Sequence, residues 1–357
     1  MSRQTQAIIH ADAIVNNFKT LQALAPQSQS MAVIKADAYG HGAVNVARLL
    51  RDLSPRFAVA IMEEAMALRD AGVTVPLVVL EGPHQMRECA LAHANQCILV
   101  VHHRQQLEWL MATPPARRPH IWLKVDSGMH RLGFAVEEVP DLLHEFAALM
   151  TGETVLATHL ACADDTANPF TRQQLHAFAQ LTRQTDLPVS IANSPATLVW
   201  PQSHANWNRL GVVVFGSAPE AVSDTVTLAA AMTLRSTVMA VRTVEAGEWV
   251  GYGQGWQAAR RSRIATVGIG YADGYPRHCP NGTPVAVNGR LAPLAGRVSM
   301  DMITVDVTEL PSVTPGDRVE LWGEQVSIDT VAHHAGTIAY ELMTRVSARV
   351  PRIVRHR

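Results

Sequence analysis

Seven short apolar runs, each followed by a segment with helical spacing, constrain the fold of this chain more than any other feature. They are MAVIK (31–35), FAVAI (57–61), PLVVL (76–80), CILVV (97–101), IWLKV (121–125), VLATHL (155–160) and LPVSIA (187–192). Between them lie stretches such as MEEAMALRDAGV, where apolar residues recur at helical spacing and Gly72 supplies a stop. Apolar strands without polar alternation must be covered on both faces, which means a parallel sheet wrapped by helices. An eighth unit fits somewhere in 205–215, around NWNRLGVVVFG. Eight such units in about 225 residues favour a closed TIM-like α/β barrel over an open doubly wound sheet.

After residue 228 the texture changes. MTLRSTVMAVRTV, RIATVGIGY, PVAVNGRLAPLAG, MITVDV and RVELWG are β-like, and Asn288-Gly289 is a hairpin signal. DTVAHHAGTIAYELMTRVSARV then returns to helical spacing. A barrel over 10–227 and a mainly β domain over 228–357 are expected. The length agrees, because 357 residues exceed the roughly 250–300 at which single cores stop growing.

Thirty Lys+Arg against 31 Asp+Glu leave a net charge of −1. No broad field is available for nucleic acid or an anionic membrane, so neither is an expected partner. A hydrophobic content of 48% excludes disorder as the main state. Cys89, Cys97, Cys162 and Cys279 form no Cys-x-x-Cys pair, and the sixteen histidines form no His-Glu-x-x-His, so no metal is expected. MSRQTQAIIH lacks the apolar core of a signal peptide, and a cytoplasmic location is expected.

In a barrel the chemistry belongs at the C-terminal ends of the strands. Lys35 closes the first run, where desolvation lowers an amine's pKa and favours carbonyl chemistry. Tyr39, Gly40 and Gly42 follow it. Lys124 lies within the fifth run, Arg131 in the loop beyond it, and His159 at the end of the sixth. Asn193, Ser194 and Pro195 read as an N-cap followed by proline at the first helical position, a ready anion site. Arg209 stands before Gly211, where backbone amides could face a phosphate. Singly, each has an ordinary structural explanation. Together they suggest a lysine-bound, phosphorylated carbonyl cofactor.

AVIKADAYGHG, LKVDSGMHRLGF, THLACADD, NSPATL, VGYGQGW, GYADGYPR and GRVSMDM resemble, in order, the motifs of the alanine racemase family. The resemblance continues to TIAYELM near the end and implies a pyridoxal 5'-phosphate enzyme that interconverts L- and D-alanine by a two-base mechanism on a cofactor aldimine. It also implies that a short strand near residues 4–9 joins the C-terminal domain. Racemisation removes a Cα proton from one face and returns one to the other, so two opposed acid/base groups are needed. The resemblance assigns these to Lys35, on the D side, and Tyr252, on the L side. A phenol ordinarily titrates near pH 10, and the family supports it through a chain that here is Tyr252–His159–Arg209. By the same carry-over, Arg209 faces the pyridine nitrogen, and Arg131 contacts the cofactor phenolate and the substrate carboxylate. Tyr39, Ser194, Tyr340 and the amides of Gly211 and Val212 form the phosphate cradle. Met300 binds the substrate carboxylate through its N–H, and Tyr271 and Asp301 line the access corridor with Arg277 and Arg297 behind them. Lys124 matches a lysine that is often carbamylated.

The resemblance further implies a homodimer in which Tyr252, Tyr271, Met300 and Asp301 enter the partner's site. Two positions depart from the commoner pattern: Pro195 stands for alanine and Leu210 for proline. Pro195 offers no N–H to a phosphate, and Leu210 should leave the turn before Gly211 less fixed. A racemase of broader specificity (serine, lysine) and a non-catalytic pyridoxal-phosphate-binding barrel are the rival readings. Tyr252 and the 228–357 region argue against the second.

Overall fold

The computed structural model describes residues 4–218 and 226–356. The first strand, β1 (Gln6–His10), does not join those that follow it. The next, β2 (Gln29–Val33), β3 (Phe57–Val59), β4 (Leu77–Val79), β5 (Cys97–Val101) and β6 (Ile121–Asp126), pair in parallel and in order. A two-residue strand, β7 (Phe134–Ala135), lies beside the end of β6. β8 (Val155–Ala157), β9 (Val189–Ser190) and β10 (Trp207–Leu210) continue from β6 back to β2. The ring is therefore a closed parallel barrel of eight strands.

Burial explains the short strands. Every residue of β3, β4, β5, β8 and β10 is buried, as strands covered on both faces require. Helices supply the outer cover; in Ala11–Leu24 the residues Ile14, Phe18 and Leu21 form the inward stripe. Trp122 and Trp207 meet at 6.0 Å inside the barrel, and the Arg56 guanidinium sits 4.2 Å over Trp207. These large side chains help to fill the interior, each contributing roughly 1.5–3 kcal/mol through burial.

The sequence runs overestimate several strands. The run at 155–160 pairs only over Val155–Ala157, and the run at 187–192 only over Val189–Ser190. Leu160 and Ala192 are apolar for another reason: with Ala163, Ala196 and Trp200 they build a small cluster beyond the strand ends. The eighth unit is the strand Trp207–Leu210.

The second sheet is organised on β11 (Met232–Val244), which pairs antiparallel with β1. Two short strands follow, β12 (Trp249–Val250) and β13 (Trp256–Gln257), which pair only with each other. β14 (Ser262–Val267) lies against β11. β15 (Pro284–Val287) and β16 (Arg290–Pro293) form the hairpin expected at Asn288-Gly289, both of whose residues have positive φ. β17 (Ile303–Asp306) pairs β14, and β18 (Arg318–Trp322) pairs β11 and β15. Two helices, Ile328–Ala335 and Ala339–Arg345, precede β19 (Arg352–Arg355), which runs parallel to β1. Residues 219–225, shortly before the boundary expected between 227 and 228, lie outside the described residues. Among the described residues no helix is long and apolar enough to cross a membrane.

Candidate active site

β2 ends at Val33, so Lys35 does not close the strand as the sequence pattern suggested. It opens a tight turn, Lys35–Gly40, in which Ala36, Asp37, Ala38 and Tyr39 all have φ of 51–53°. Left-handed backbone disfavours L-residues by about 1–2 kcal/mol each, so the surroundings must impose this shape. The Glu64 carboxylate accepts the N–H groups of Ala36 and Ala60, both at 2.7 Å. Asp37 accepts from the N–H of Ala43 at 2.8 Å. At Gly40, with φ +79°, a Cβ would lie 2.2 Å from the Met343 carbonyl oxygen, so only glycine fits. The Tyr39 hydroxyl comes so close to Gly211 that a Cβ there would stand 2.7 Å from it.

A cavity of about 820 Å³ opens at the C-terminal ends of the barrel strands. Lys35, Lys124, Arg131, His159 and Arg209 line it, together with Tyr39, Ser194, Gly211, Val212 and Tyr340. Ten of the residues singled out from the sequence thus share one chamber. Burial lowers the pKa of Lys35, helped by Arg131 and opposed by Glu81 and Glu64. Lys124 is driven well below the usual lysine value by burial, then by Arg209 and Arg131. Burial raises the Tyr340 phenol to about 12. Two carboxylates also line the cavity, Glu81 and Asp126. Asp126 already accepts the N–H groups of Gly128 and His130. The chamber therefore has a surplus of desolvated cations, and an anion would relieve it.

Arg209 is held from several sides. Its Nη1 donates to Ser190 Oγ at 2.6 Å, and its Nη2 donates to the carbonyls of Thr158 and Ile191 at 2.7 and 3.1 Å. The same Nη2 lies 3.3 Å from His159 Nδ1. Burial, then Arg209, Lys124 and Arg131, push the His159 pKa well down, so the ring is neutral. A permanent donor beside Nδ1 makes that nitrogen the acceptor and puts the proton on Nε2.

Asn193, not Ser194, caps the helix Ser194–Val199, its side chain accepting from the N–H of Ala196 at 3.0 Å. Pro195 is accordingly the second helical residue and not the first. Capping by Asn193 leaves the Ser194 hydroxyl to accept the Gly211 N–H at 2.7 Å. Leu210 does not leave this turn loose: it is fully buried, and the bond from Gly211 to Ser194 holds the next residue. Ser194, Gly211 and the Tyr39 hydroxyl meet in one corner, beneath space that a Cβ on residue 211 would fill. This corner, the surplus cations and the partly buried amine of Lys35 fit a phosphorylated carbonyl compound.

Tyr252, Tyr271, Met300 and Asp301 do not line this cavity. Tyr252 is 70% exposed at the tip of the loop joining β12 and β13, with Arg297 against the backbone of Gly253 and Gly255. Tyr271 and Met300 lie on neighbouring segments, joined where the Tyr271 and Ala272 N–H groups donate to the carbonyls of Ser299 and Met300. Asp301 accepts from Arg349 at 2.7 Å. Arg277 and Arg297 are exposed on the same domain. Tyr252, Tyr271 and Met300 are large apolar surfaces open to solvent in one chain.

Sequence reasoning missed Glu64, Glu81 and His41. Glu81 had a signal, since it directly follows the run 76–80 at a strand's C-terminal end. His41 is fully buried, and burial lowers its pKa to about 4. The unfolded chain takes up that proton near pH 6.5, so it binds more protons than the folded chain between the two values. Stability is therefore lost as pH falls from about 6.5 to about 4. From about pH 7.5 to 5, the wild type should lose roughly 2 kcal/mol more unfolding free energy than His41→Asn, measured by denaturant titration. Equal losses would remove His41 from the acid response.

Family models described as alanine racemase, N-terminal domain, and alanine racemase, C-terminal domain, match residues 9–219 and 231–354. An alanine racemase of Alteromonas mediterranea is 62% identical over 357 residues, covering 100% of both chains. One from Chromohalobacter salexigens is 49% identical over 100% of this chain and 99% of its own. Among solved structures, the biosynthetic alanine racemase of Pseudomonas aeruginosa superposes with a TM-score of 0.94 at 42% identity, covering 99% of this chain and 100% of its own. That of Bartonella henselae, with covalently bound pyridoxal phosphate, gives 0.90 at 31% identity, over 98% and 99%.

Proposed function

The chain belongs to the alanine racemase family, and on that premise we propose that Lys35 and Tyr252 are its two proton-transfer groups, Tyr252 serving the cavity of a second copy. As a member it is a pyridoxal-phosphate-dependent isomerase of L- and D-alanine. When bound, the cofactor supplies an aldehyde for amines and a conjugated ring that spreads the electron pair left at Cα. Lys35 is the amine that would hold it, with Tyr39, Ser194, Tyr340 and the Gly211 and Val212 amides around the phosphate. Arg209 would face the ring nitrogen. Its guanidinium holds its protons, so it would donate a hydrogen bond to that nitrogen without handing over a proton.

In the L-to-D direction Tyr252 Oη takes the Cα proton and Lys35 Nζ delivers one to the opposite face; the reverse direction exchanges the roles. His159 Nε2–H, with Nδ1 turned to Arg209, suits the stabilisation of a phenolate. Arg131 and the Met300 N–H would take the substrate carboxylate, with Tyr271 and Asp301 at the access corridor. Lys124, whose pKa burial and the neighbouring Arg209 and Arg131 lower, suits carbamylation, which would give Arg131 an anionic partner.

The observation that carries the shared site is that Tyr252 is exposed and outside its own chain's cavity while Lys35, Arg131, His159 and Arg209 line it. Mixing Lys35→Ala with Tyr252→Phe tests it. In a mixed dimer one cavity receives both substitutions and the other neither, so statistical exchange should restore roughly a quarter of wild-type sites. No restored alanine racemisation, with exchange verified by mass, would put Tyr252 in the cavity of its own chain.

A further inference from the structure

The turn Lys35–Gly40 is held at its ends by Glu64, Asp37 and the C-terminal domain, where Arg352 Nε donates to the Gly40 carbonyl at 3.1 Å. At its centre the contact comes from His41. His41 Nδ1 lies 3.0 Å from the carbonyl oxygens of both Ala38 and Tyr39. Both partners accept, so Nδ1 carries the proton. Nε2 is then a bare lone pair, fully buried and without a hydrogen-bond partner among the described residues. The contacts of this histidine are made by its other nitrogen and its flat ring. That ring stacks on Phe215 at 4.4 Å, and Phe215 also packs against the Tyr39 ring at 5.2 Å. His41 and Tyr39 thus lean on one aromatic support, with the hydroxyl of Tyr39 at Gly211.

We propose that His41 is a positioning residue for the cofactor: it fastens the left-handed turn through two carbonyls and so fixes the Tyr39 hydroxyl and the Lys35 amine together. The inference rests on the reading that Lys35 and Tyr39 hold the cofactor. Asparagine at residue 41 can still present an N–H to the two carbonyls. Leucine fills the space but takes the side-chain donor from both carbonyls in a dry site, leaving Ala38 only the backbone N–H of residue 41.

The test is the rate at which wild-type, His41→Asn and His41→Leu holoenzymes release pyridoxal phosphate on dilution with a carbonyl scavenger. It is paired with kcat and KM for alanine at saturating cofactor. His41→Leu should release at least about tenfold faster, with KM for alanine little changed, and His41→Asn should stay within about threefold of wild type. Wild-type release from His41→Leu would overturn the proposal, and so would equally fast release from the two variants. If His41→Leu does not fold, His41→Asn decides: release within threefold supports the role, and release tenfold faster overturns it. Borohydride reduction and peptide mapping of the same holoenzymes separate this from the underlying reading, since label on a lysine other than Lys35 would sink that reading whatever the release rates.

Discussion

Lys35→Ala should lose at least about 10⁴-fold in alanine racemisation, because one substitution removes both the amine that would hold the cofactor and one proton-transfer group. The visible band of lysine-bound pyridoxal phosphate should vanish with it. The rest of the cradle stays, so the variant should still take up the cofactor phosphate weakly, detectable by equilibrium dialysis. The environment of Lys35 gives the prediction its direction: burial and Arg131 lower its pKa, while Glu64 and Glu81 oppose them. No other lysine lines the cavity except Lys124, which is half-buried on β6 near Arg209 and Arg131. Persistence of the band would show that Lys124 can take over, and would remove Lys35 from its role.

Tyr252→Phe should lose about 10²–10⁴-fold in both directions, the usual range for one acid/base group. Here the lysine-bound band should remain at wild-type intensity, because Tyr252 is no part of the cradle proposed to hold the cofactor. The two faces of Cα then separate experimentally. Exchange of the Cα hydrogen of D-alanine with solvent depends on Lys35 and should survive, whereas exchange from L-alanine should fall with racemisation. Equal loss of both exchanges would mean that Tyr252 supports the whole site and is not the base of one face.

Much of the barrel was legible because burial on both faces forces unbroken apolar runs, and CILVV at 97–101 matches its strand end to end. Legibility failed where apolar residues serve something other than a strand. Leu160 and Ala192 look like ladder residues and are instead part of a cluster with Trp200. The turn after β2 was illegible for the opposite reason: Ala-Asp-Ala-Tyr contains no glycine, and its left-handed shape is imposed by Glu64, His41 and Met343, which no local pattern connects. The lysine, arginines and histidine at the strand ends could be read from barrel logic alone. Tyr252, Tyr271 and Met300 could not, since nothing in one chain brings them to the cavity; only the ordered motifs of the family pointed there.

β1 lies between β11 and β19, paired parallel with β19 from nearly the other end of the chain. A ribosome makes β1 before all the barrel strands and β19 after them. The barrel strands can all emerge and close while β1 still offers an open edge. A product cut short before Arg352 would keep that edge and also lack the guanidinium that grips Gly40, next to the lysine turn. Chains that lack β19 would then be both sticky and slack at Lys35, which makes them easy for a protease to tell from chains that have it.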